Sequence, residues 1–402
     1  MSTSFHNNIE DIFAEACELH SRLNFATAEK IYLELLEKNP GGGLIHYNIG
    51  LLYYQTEQFN KAIAHYMKAK KLAPADPDLL FNLALCQKQL GRLHDAAAGF
   101  EELIQISPKE LDALYNLGNC YRELREYAKA EQAYLRLLLE NPDHLSANRN
   151  LAYLYHLQKD FDSALKYYNK VLALEEGDPQ AVHMVAAITD SGAASAPAEY
   201  IRDIFNRYSE TFDEVLPGNL KYVVPEKLRS RLDSLGYPLS LFPKCIDLGC
   251  GTGLAGSQFG PVCNHLTGVD LSEKMIEKAS AKGIYDILQV SEITSFLETK
   301  SDEYDLAVAA DVLTYMGDLA PLFRALTEAM GEQALFCCST EDSDQPAFSL
   351  CPNGRFTHSP AYVLKTAARF GWQCIDQTGS RLREEESNPV TGTLYFFTKK
   401  ED

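Results

Sequence analysis

Three glycines that follow a short apolar segment are the residues of this chain best suited to hold a ligand. Residues 245–253 read CIDLGCGTG, so Gly249, Gly251 and Gly253 come directly after a predicted buried strand. Glycine has no Cβ atom, which lets the backbone turn sharply and approach a bound molecule closely. A glycine loop in this position predicts a nucleotide-like ligand.

Two acidic residues flank the loop in the sequence. Asp247 stands inside the apolar segment, and Asp270 lies in a second predicted strand at residues 266–271. Because a carboxylate accepts hydrogen bonds, Asp270 is placed to bind the hydroxyl groups of a ribose. The loop and this acid together predict a nucleoside site.

Apolar strands and helical segments alternate around these residues. The further strand candidates are 285–290, 306–309, 334–338 and 393–398, and the helical segments include 199–216, 273–282 and 319–330. This alternation predicts a parallel, doubly wound α/β sheet, in which ligands bind at the carboxyl ends of the strands.

The first half of the chain repeats with a period of 34 residues. One column of the repeat holds only asparagine, and its members are Asn48, Asn82, Asn116 and Asn150. Other columns hold alanine, an aromatic residue and proline. This pattern resembles the tetratricopeptide repeat, in which each repeat is a helical hairpin.

The repeats and the glycine loop divide the chain into two predicted domains. An all-α solenoid of about five repeats is expected over residues 9–190. A joint rich in alanine, serine and glycine follows at 191–198, and the second domain covers 199–402.

The asparagine column is expected on the concave face of the solenoid. Asparagine donates and accepts hydrogen bonds at once, so a row of asparagines matches the backbone of an extended peptide. Arg122 and Arg149 are expected near the same face, where they would bind acidic side chains or a C-terminal carboxylate. The repeats therefore predict a protein or peptide partner. Packing and hydrogen bonds between repeats are the alternative use of the asparagines.

The second half of the chain resembles the class I S-adenosylmethionine-dependent methyltransferases over about residues 200–399. Three segments carry the resemblance, namely DLGCGTG at 247–253, GVDLSEKMIEKA at 268–279 and SEI at 291–293. The resemblance implies a Rossmann-like α/β fold and S-adenosyl-L-methionine as the cofactor.

The resemblance also implies which residues contact the cofactor. By this resemblance, Asp270 is expected to contact the ribose, Met275 the adenine ring and Glu292 the adenine amino group. Tyr208 and Tyr222 are expected to close over the cofactor, with aromatic core packing as the alternative. The full expected set is Asp247, Gly249, Gly251, Gly253, Asp270, Leu271, Met275, Glu292, Ile293, Asp311, Tyr208 and Tyr222.

A nicotinamide dinucleotide is the rival ligand. Gly251, Gly253 and Gly256 satisfy the pattern G-x-G-x-x-G, and Asp270 follows the first of them by nineteen residues. Asp247 argues against this ligand, because its carboxylate would face the pyrophosphate, whereas it would suit the amino group of a methionine moiety. The sequence therefore favours adenosylmethionine.

Candidate catalytic residues follow the strand at 306–309 and lie in a second cluster further on. Methyl transfer needs alignment and, for oxygen or carbon acceptors, a base. Asp311, Tyr315 and His358 are the candidates, and Arg355 is a candidate substrate contact. The alternative for His358 is a buried structural histidine.

The segment that contains the last two candidates has its own sequence signals. Residues 353–362 read NGRFTHSPAY, which predicts a turn followed by a helix with Ser359 as its N-cap. Together with Arg383, this segment resembles the predicted bacterial methyltransferases that contain tetratricopeptide repeats.

Composition limits the other function classes. The chain has 402 residues, 46% apolar content and a net charge of −19, so nucleic acid is not an expected partner. The N-terminal sequence and the absence of a long apolar run predict a cytoplasmic protein that does not enter membranes. Ten cysteines without a C-x-x-C pair predict no metal site.

The resulting interpretation is a methyltransferase whose solenoid recruits a protein substrate or partner. Two alternatives stay open at this point. One is a small-molecule methyltransferase that uses the repeats only for assembly, and the other is a repeat scaffold with a non-catalytic cofactor domain. The methyl acceptor, the partner and the oligomeric state do not follow from the sequence.

Overall fold

In the computed structural model, the described residues are 3–209, 212–214, 220–237, 242–385 and 388–400. Their contacts divide the chain into two compact units, Met1–Leu174 and Glu175–Asp402. In its described part the first unit consists of helices, and the second combines helices with β-strands. The two predicted fold classes are therefore confirmed. None of the helices in these ranges combines the length and the apolar character needed to cross a membrane.

The first unit is a series of packed helix pairs. Its helices are α1 (Thr3–Ser21), α2 (Phe25–Lys38), α3 (Gly43–Gln55), α4 (Phe59–Leu72), α5 (Pro77–Gln89), α6 (Leu93–Ile106), α7 (Leu111–Glu123), α8 (Tyr127–Glu140), α9 (Leu145–Leu157) and α10 (Phe161–Leu174). A Cβ atom at Gly50 would lie 2.5 Å from the ring of Tyr66, and one at Gly118 would lie 2.4 Å from Tyr134. Both tyrosines are fully buried. The aromatic column thus fills the space that small residues leave in the preceding helix.

In its described part, the second unit begins with four helices that precede the sheet. They are α11 (Pro179–Thr189), α12 (Ala198–Tyr208), α13 (Phe212–Glu214) and α14 (Val224–Ser234). The elements of the sheet region are β1 (Cys245–Leu248), α15 (Leu254–Phe259), β2 (Leu266–Asp270), α16 (Glu273–Ala281), β3 (Ile287–Val290), α17 (Ile293–Leu297), β4 (Tyr304–Ala309), α18 (Ala320–Ala329), β5 (Met330–Glu341), β6 (Phe348–Leu350), β7 (Phe356–His358), α19 (Pro360–Arg369), β8 (Trp372–Glu385) and β9 (Asn388–Lys399).

The main sheet of the described residues has the strand order β3-β2-β1-β4-β5-β9-β8. The pairs β1–β2, β2–β3, β1–β4 and β4–β5 are parallel. The chain moves outward in one direction from β1 to β3 and in the other from β4 to β5. In such a sheet the crevice between the two directions, at the carboxyl ends of β1 and β4, is where ligands bind. The crevice is therefore formed by the glycine loop and the segment after β4.

The expectation of a wholly parallel sheet is wrong for the last two strands. β9 pairs antiparallel with both β5 and β8. Only residues 386–387 separate β8 from β9, and such a short connection joins antiparallel strands. Sequence analysis missed β8 because many of its side chains are polar and partly exposed, so the strand has no apolar run.

Helix α11 belongs to the second unit, although the sequence assigned it to the repeats. The His183 side chain is 1% exposed, and its Nε2 lies 2.7 Å from the backbone oxygen of Gly354. Met184 is also buried, and the Tyr200 hydroxyl lies 3.6 Å from its sulfur. The division of the chain therefore precedes the expected joint at 191–198, because the buried face of α11 is covered by α12 and by the turn at Gly354.

Candidate functional site

The glycine loop, residues 249–253, connects β1 to α15. Gly249, Gly251 and Gly253 have φ angles of 67°, 53° and 92°, which lie in the left-handed region that favours glycine. A Cβ atom at Gly249 would also lie 2.6 Å from the side chain of Val312. The loop therefore needs glycine both for its conformation and for the close approach of the segment after β4.

Asp270, at the carboxyl end of β2, fixes the backbone of this loop. Its Oδ2 accepts the Gly251 N–H at 2.9 Å, and its Oδ1 accepts the Ser272 N–H at 2.8 Å. Burial raises the pKa of Asp270, and these backbone hydrogen bonds act in the opposite direction. A carboxylate offers about four acceptor positions, so these two bonds leave capacity for ribose hydroxyls.

Asp247 lies within β1 and is 2% exposed. The Tyr285 hydroxyl donates a hydrogen bond of 2.6 Å to its Oδ2. The pKa of Asp247 is raised to about 7, because burial and the charge of Asp270 raise it by more than the hydrogen bonds from Tyr285 and the Gly256 N–H lower it. A buried carboxylate in this position would be stabilised by a cation. Sequence analysis missed Tyr285, which stands outside the three motif segments.

The residues expected around the adenine follow β2 and β3. Glu292 begins α17 as its N-cap, and its Oε2 accepts the Ser295 N–H at 2.6 Å. Leu271 is half-buried and Ile293 is buried. Met275 is fully buried, so it does not offer a free surface to an adenine ring. The expected contacts of Glu292 and Met275 with an adenine stay predictions.

Two of the expected tyrosines lie at the end of β4. The Tyr222 hydroxyl donates to the backbone oxygen of Ala310 at 3.2 Å, and burial raises the pKa of Tyr222. The ring of Tyr315 packs edge-on against Phe205 of α12, with 5.5 Å between the centroids. Tyr208 ends α12 with 52% of its surface exposed, and its contact with the cofactor stays a prediction.

Asp311, the first candidate base, is part of a buried arginine cluster. This cluster consists of Arg383, Asp311, Glu341, Glu385 and a second arginine, Arg355, which contacts both glutamates. Nη1 of Arg383 donates to both carboxylate oxygens of Asp311, at 2.8 and 2.9 Å. The other guanidinium nitrogens donate to Glu341 and Glu385, and Arg383 is 1% exposed. Sequence analysis gave Arg383 no role in the site, since it lies 72 residues from its partner Asp311.

The backbone at Asp311 is strained, with a φ angle of 61°. Burial raises the pKa of Asp311, and Arg383 opposes that effect. Because both of its oxygens already accept hydrogen bonds from Arg383, the carboxylate is held in one orientation. This arrangement favours a positioning role for Asp311 over proton transfer.

His358, the third candidate base, is enclosed by backbone and aromatic groups. It is fully buried, its Nε2 lies 3.1 Å from the backbone oxygen of Gly317, and its ring stacks on Tyr362 with 6.0 Å between centroids. Burial lowers the pKa of His358 to about 4. These contacts do not support the expected catalytic role and indicate a structural histidine. Arg355 is likewise engaged, because its guanidinium donates to Glu385.

The asparagine column makes hydrogen bonds within the repeats. Asn82 donates to the Tyr47 hydroxyl at 3.0 Å, and Asn150 donates to the Tyr115 hydroxyl at 3.3 Å. In each case the tyrosine belongs to the preceding repeat. The other two members, Asn48 and Asn116, donate to backbone oxygens of their own helices. At least part of this column therefore serves the spacing of the repeats, which is the alternative that the sequence left open.

Comparison with known proteins assigns both units. Residues 246–336 match a family model described as a methyltransferase domain. Residues 81–141 and 115–181 match the tetratricopeptide repeat model, and residues 50–91 match a TPR repeat model. The chain thus combines tetratricopeptide repeats with a methyltransferase domain.

Individual relatives are similar to one unit or the other. The ubiquinone biosynthesis O-methyltransferase of Xanthomonas oryzae pv. oryzae is 24% identical over 179 residues, which cover 41% of this chain and 72% of that protein. The structure of YrrB, a TPR protein with an unusual peptide-binding site, matches 44% of this chain and 96% of its own, with 19% identity and a TM-score of 0.42. A SAM-dependent methyltransferase from Methanosarcina mazei matches 42% of this chain and 98% of its own, with 15% identity and a TM-score of 0.37.

Proposed function

We propose that this chain is a cytoplasmic S-adenosylmethionine-dependent methyltransferase whose repeats recruit a protein or peptide. The observation that carries the proposal is the pair of carboxylates on either side of the glycine loop, the buried Asp247 and the half-buried Asp270. A ligand with a ribose and a cationic amino group fits this pair. The ten free cysteines suit a reducing compartment such as the cytoplasm.

The same carboxylates disfavour a dinucleotide. Asp247 already shares a buried environment with the negative charge of Asp270. A pyrophosphate would add further negative charge, whereas the ammonium group of a methionine moiety would compensate the charge of Asp247. Gly256, the third glycine of the dinucleotide pattern, packs against Tyr285, since a Cβ atom there would lie 2.3 Å from the Tyr285 hydroxyl, and this packing does not depend on which ligand binds.

The residues of the crevice divide between cofactor and acceptor. Asp270 would hold the ribose, Asp247 the amino group and Glu292 the adenine side. When bound, adenosylmethionine supplies an activated methyl group on its sulfonium. The acceptor would enter at the end of β4, where Tyr222 and the Asp311 carboxylate lie. These side chains would contribute mainly by aligning the acceptor with the methyl group.

The repeats are proposed to bind the partner through the helices that carry the asparagine column. Tyr47, Phe81 and Tyr115 precede successive asparagines of that column and are half-buried, which leaves part of each ring accessible. Arg122 and Arg149 are also half-buried, on α7 and α9. Aromatic rings with nearby cations suit a peptide that carries apolar and acidic side chains.

The relatives favour a second candidate function. They are named for the O-methylation of a small molecule in ubiquinone biosynthesis. An oxygen acceptor on a small molecule, with the repeats used only for assembly, is therefore the alternative to a recruited protein.

The cofactor assignment predicts a clear choice between ligands. Calorimetric titration of the purified chain at pH 8 should show binding of adenosylmethionine and of adenosylhomocysteine, and none of the oxidised or reduced nicotinamide dinucleotides. Charge decides the outcome, because the dinucleotides bring a pyrophosphate to two carboxylates. Binding of a nicotinamide dinucleotide, or of none of these ligands, would contradict the proposed function.

A further inference from the structure

Tyr285 occupies space that three glycines leave open beside the glycine loop. A Cβ atom at Gly256 would lie 2.3 Å from its hydroxyl, and one at Gly268 would lie 2.9 Å from its ring. A Cβ atom at Gly253 would approach the same ring to 3.1 Å. A larger residue at Gly256 would displace the Tyr285 ring, and one at Gly268 would displace both this ring and the Leu288 side chain, which lies 2.8 Å from the added Cβ.

The ring brings one polar atom to a buried carboxylate. Tyr285 lies in the segment between α16 and β3, and its hydroxyl donates to Asp247 Oδ2 at 2.6 Å. Hydrogen bonds to charged groups are among the strongest in proteins, and losing one inside a buried site leaves the charge poorly compensated. The hydroxyl of Tyr285 is therefore a main support of the Asp247 carboxylate.

We propose that Tyr285 is a positioning residue for the cofactor, because its hydroxyl keeps the Asp247 carboxylate available to the amino group of adenosylmethionine. This inference rests on the proposed function, in which Asp247 receives that amino group. Tyr285 affects the cofactor only through Asp247. Its ring packs beside Gly253, Gly256 and Gly268.

The other groups around Asp247 explain why this support matters. Asp270 at the end of β2 raises the pKa of Asp247 by its charge, and burial raises it most. The backbone N–H of Gly256 lowers that pKa. The neighbouring Cys250 thiol and the Tyr222 hydroxyl are held neutral, because burial and the charge of Asp247 raise the pKa of both. With a pKa of about 7, Asp247 is protonated below neutral pH and ionised above it.

The test compares the binding of adenosylhomocysteine to wild type and to Tyr285→Phe at pH 6, 7, 8 and 9. Removing the hydroxyl takes one hydrogen bond from the ionised carboxylate. We expect the pKa of Asp247 to rise by about one unit as a result, which corresponds to part of the free energy of a hydrogen bond to a charged group. The Kd ratio of variant to wild type should then be about five at pH 7 and should approach one at pH 9. Because both proteins bind the same ligand, titration of the ligand's own amino group cancels in this ratio.

Two further variants separate this role from a loss of packing. Gly256→Ala keeps Tyr285 but pushes its hydroxyl away, so it should show the same pH-dependent ratio. Tyr304→Phe is the matched control, because Tyr304 is a buried tyrosine four residues before Val308, which pairs with Asp247 in the sheet. It should bind like wild type at every pH.

Each outcome bears on the inference. A ratio of one for Tyr285→Phe at pH 7, or a ratio that is the same at all pH values, would overturn the role of Tyr285 while leaving the proposed function intact. Failure of wild type to bind adenosylhomocysteine would overturn both. The unfolding midpoint from Trp372 fluorescence identifies a variant that binds poorly only because it is unfolded.

Discussion

Replacing Asp270 by asparagine is expected to weaken the binding of adenosylmethionine by about a hundredfold or more, since it disturbs several hydrogen bonds to a charged group. One carboxylate oxygen accepts the Gly251 N–H and the other accepts the Ser272 N–H. An amide nitrogen in either position would face another donor, so the loop would lose part of its support. The ribose would also lose an acceptor. Calorimetric titration measures the change directly.

Asp286→Asn is the matched control for this prediction. Asp286 also accepts a backbone N–H with its carboxylate, from Leu266 at 2.8 Å, but it does so at the opposite end of β2. This variant should bind adenosylmethionine within about twofold of wild type, because it leaves the carboxyl end of the strand untouched. Equal losses in both variants would show that the effect comes from the strand and not from the ligand site.

The second large effect is expected on stability. Arg383→Ala should lower the free energy of unfolding of the second unit by about 3–5 kcal/mol, because it removes one partner of a buried ionic cluster. Asp311 would lose both of its hydrogen bonds from Arg383, while Glu341 would keep the Thr314 hydroxyl and the Arg355 guanidinium at 3.7 Å. Urea unfolding monitored by Trp372 measures this effect selectively, since Trp372 is the only tryptophan of the chain and is buried in the second unit.

An exposed arginine provides the comparison. Arg231 of α14 makes two hydrogen bonds of 2.7 and 2.8 Å to Asp376 of β8, but 42% of its side chain is exposed. Solvent screens such a pair, so Arg231→Ala should lower the free energy of unfolding much less than Arg383→Ala. If Arg383→Ala cost no more than Arg231→Ala, the cluster would not stabilise the fold in the way described here.

The features that sequence analysis predicted are local in the chain. The glycine loop and Asp247 occupy a single segment, and Asp270 follows after one helix and one strand. Such patterns report the conformational needs of a few neighbouring residues, above all the left-handed φ angles of the three glycines. The 34-residue period is equally visible, because each repeat makes the same contacts with the next.

The features that it missed depend on contacts between distant residues. Tyr285 reaches Asp247 across 38 residues, and Arg383 reaches Asp311 across 72. No local sequence pattern specifies which charged side chains will form pairs in the folded protein. Asp311 was therefore expected to act as a base, whereas in the structure Arg383 binds its carboxylate. Gly268 lies two residues before Asp270 and could have been noticed for that reason. Only the structure, however, shows that the Tyr285 ring fills the space beside it.

The asparagine column shows the same limit within the repeats. The sequence predicts the helices that carry Asn82 and Asn150, yet it cannot distinguish a side chain that binds a peptide from one that bonds to a tyrosine of the preceding repeat. The hydrogen bonds to Tyr47 and Tyr115 span 35 residues each, one residue more than the repeat. A tyrosine placed one position ahead of the column was the available signal.

Transfer of a labelled methyl group tests the central proposal most directly. Purified chain and adenosylmethionine labelled in its methyl group would be added to a lysate, with Asp270→Asn as the blank. We expect label in one or a few protein bands with wild type and none with the variant. Label confined to small molecules would contradict the recruitment of a protein substrate, and equal label with wild type and variant would contradict the methyltransferase itself.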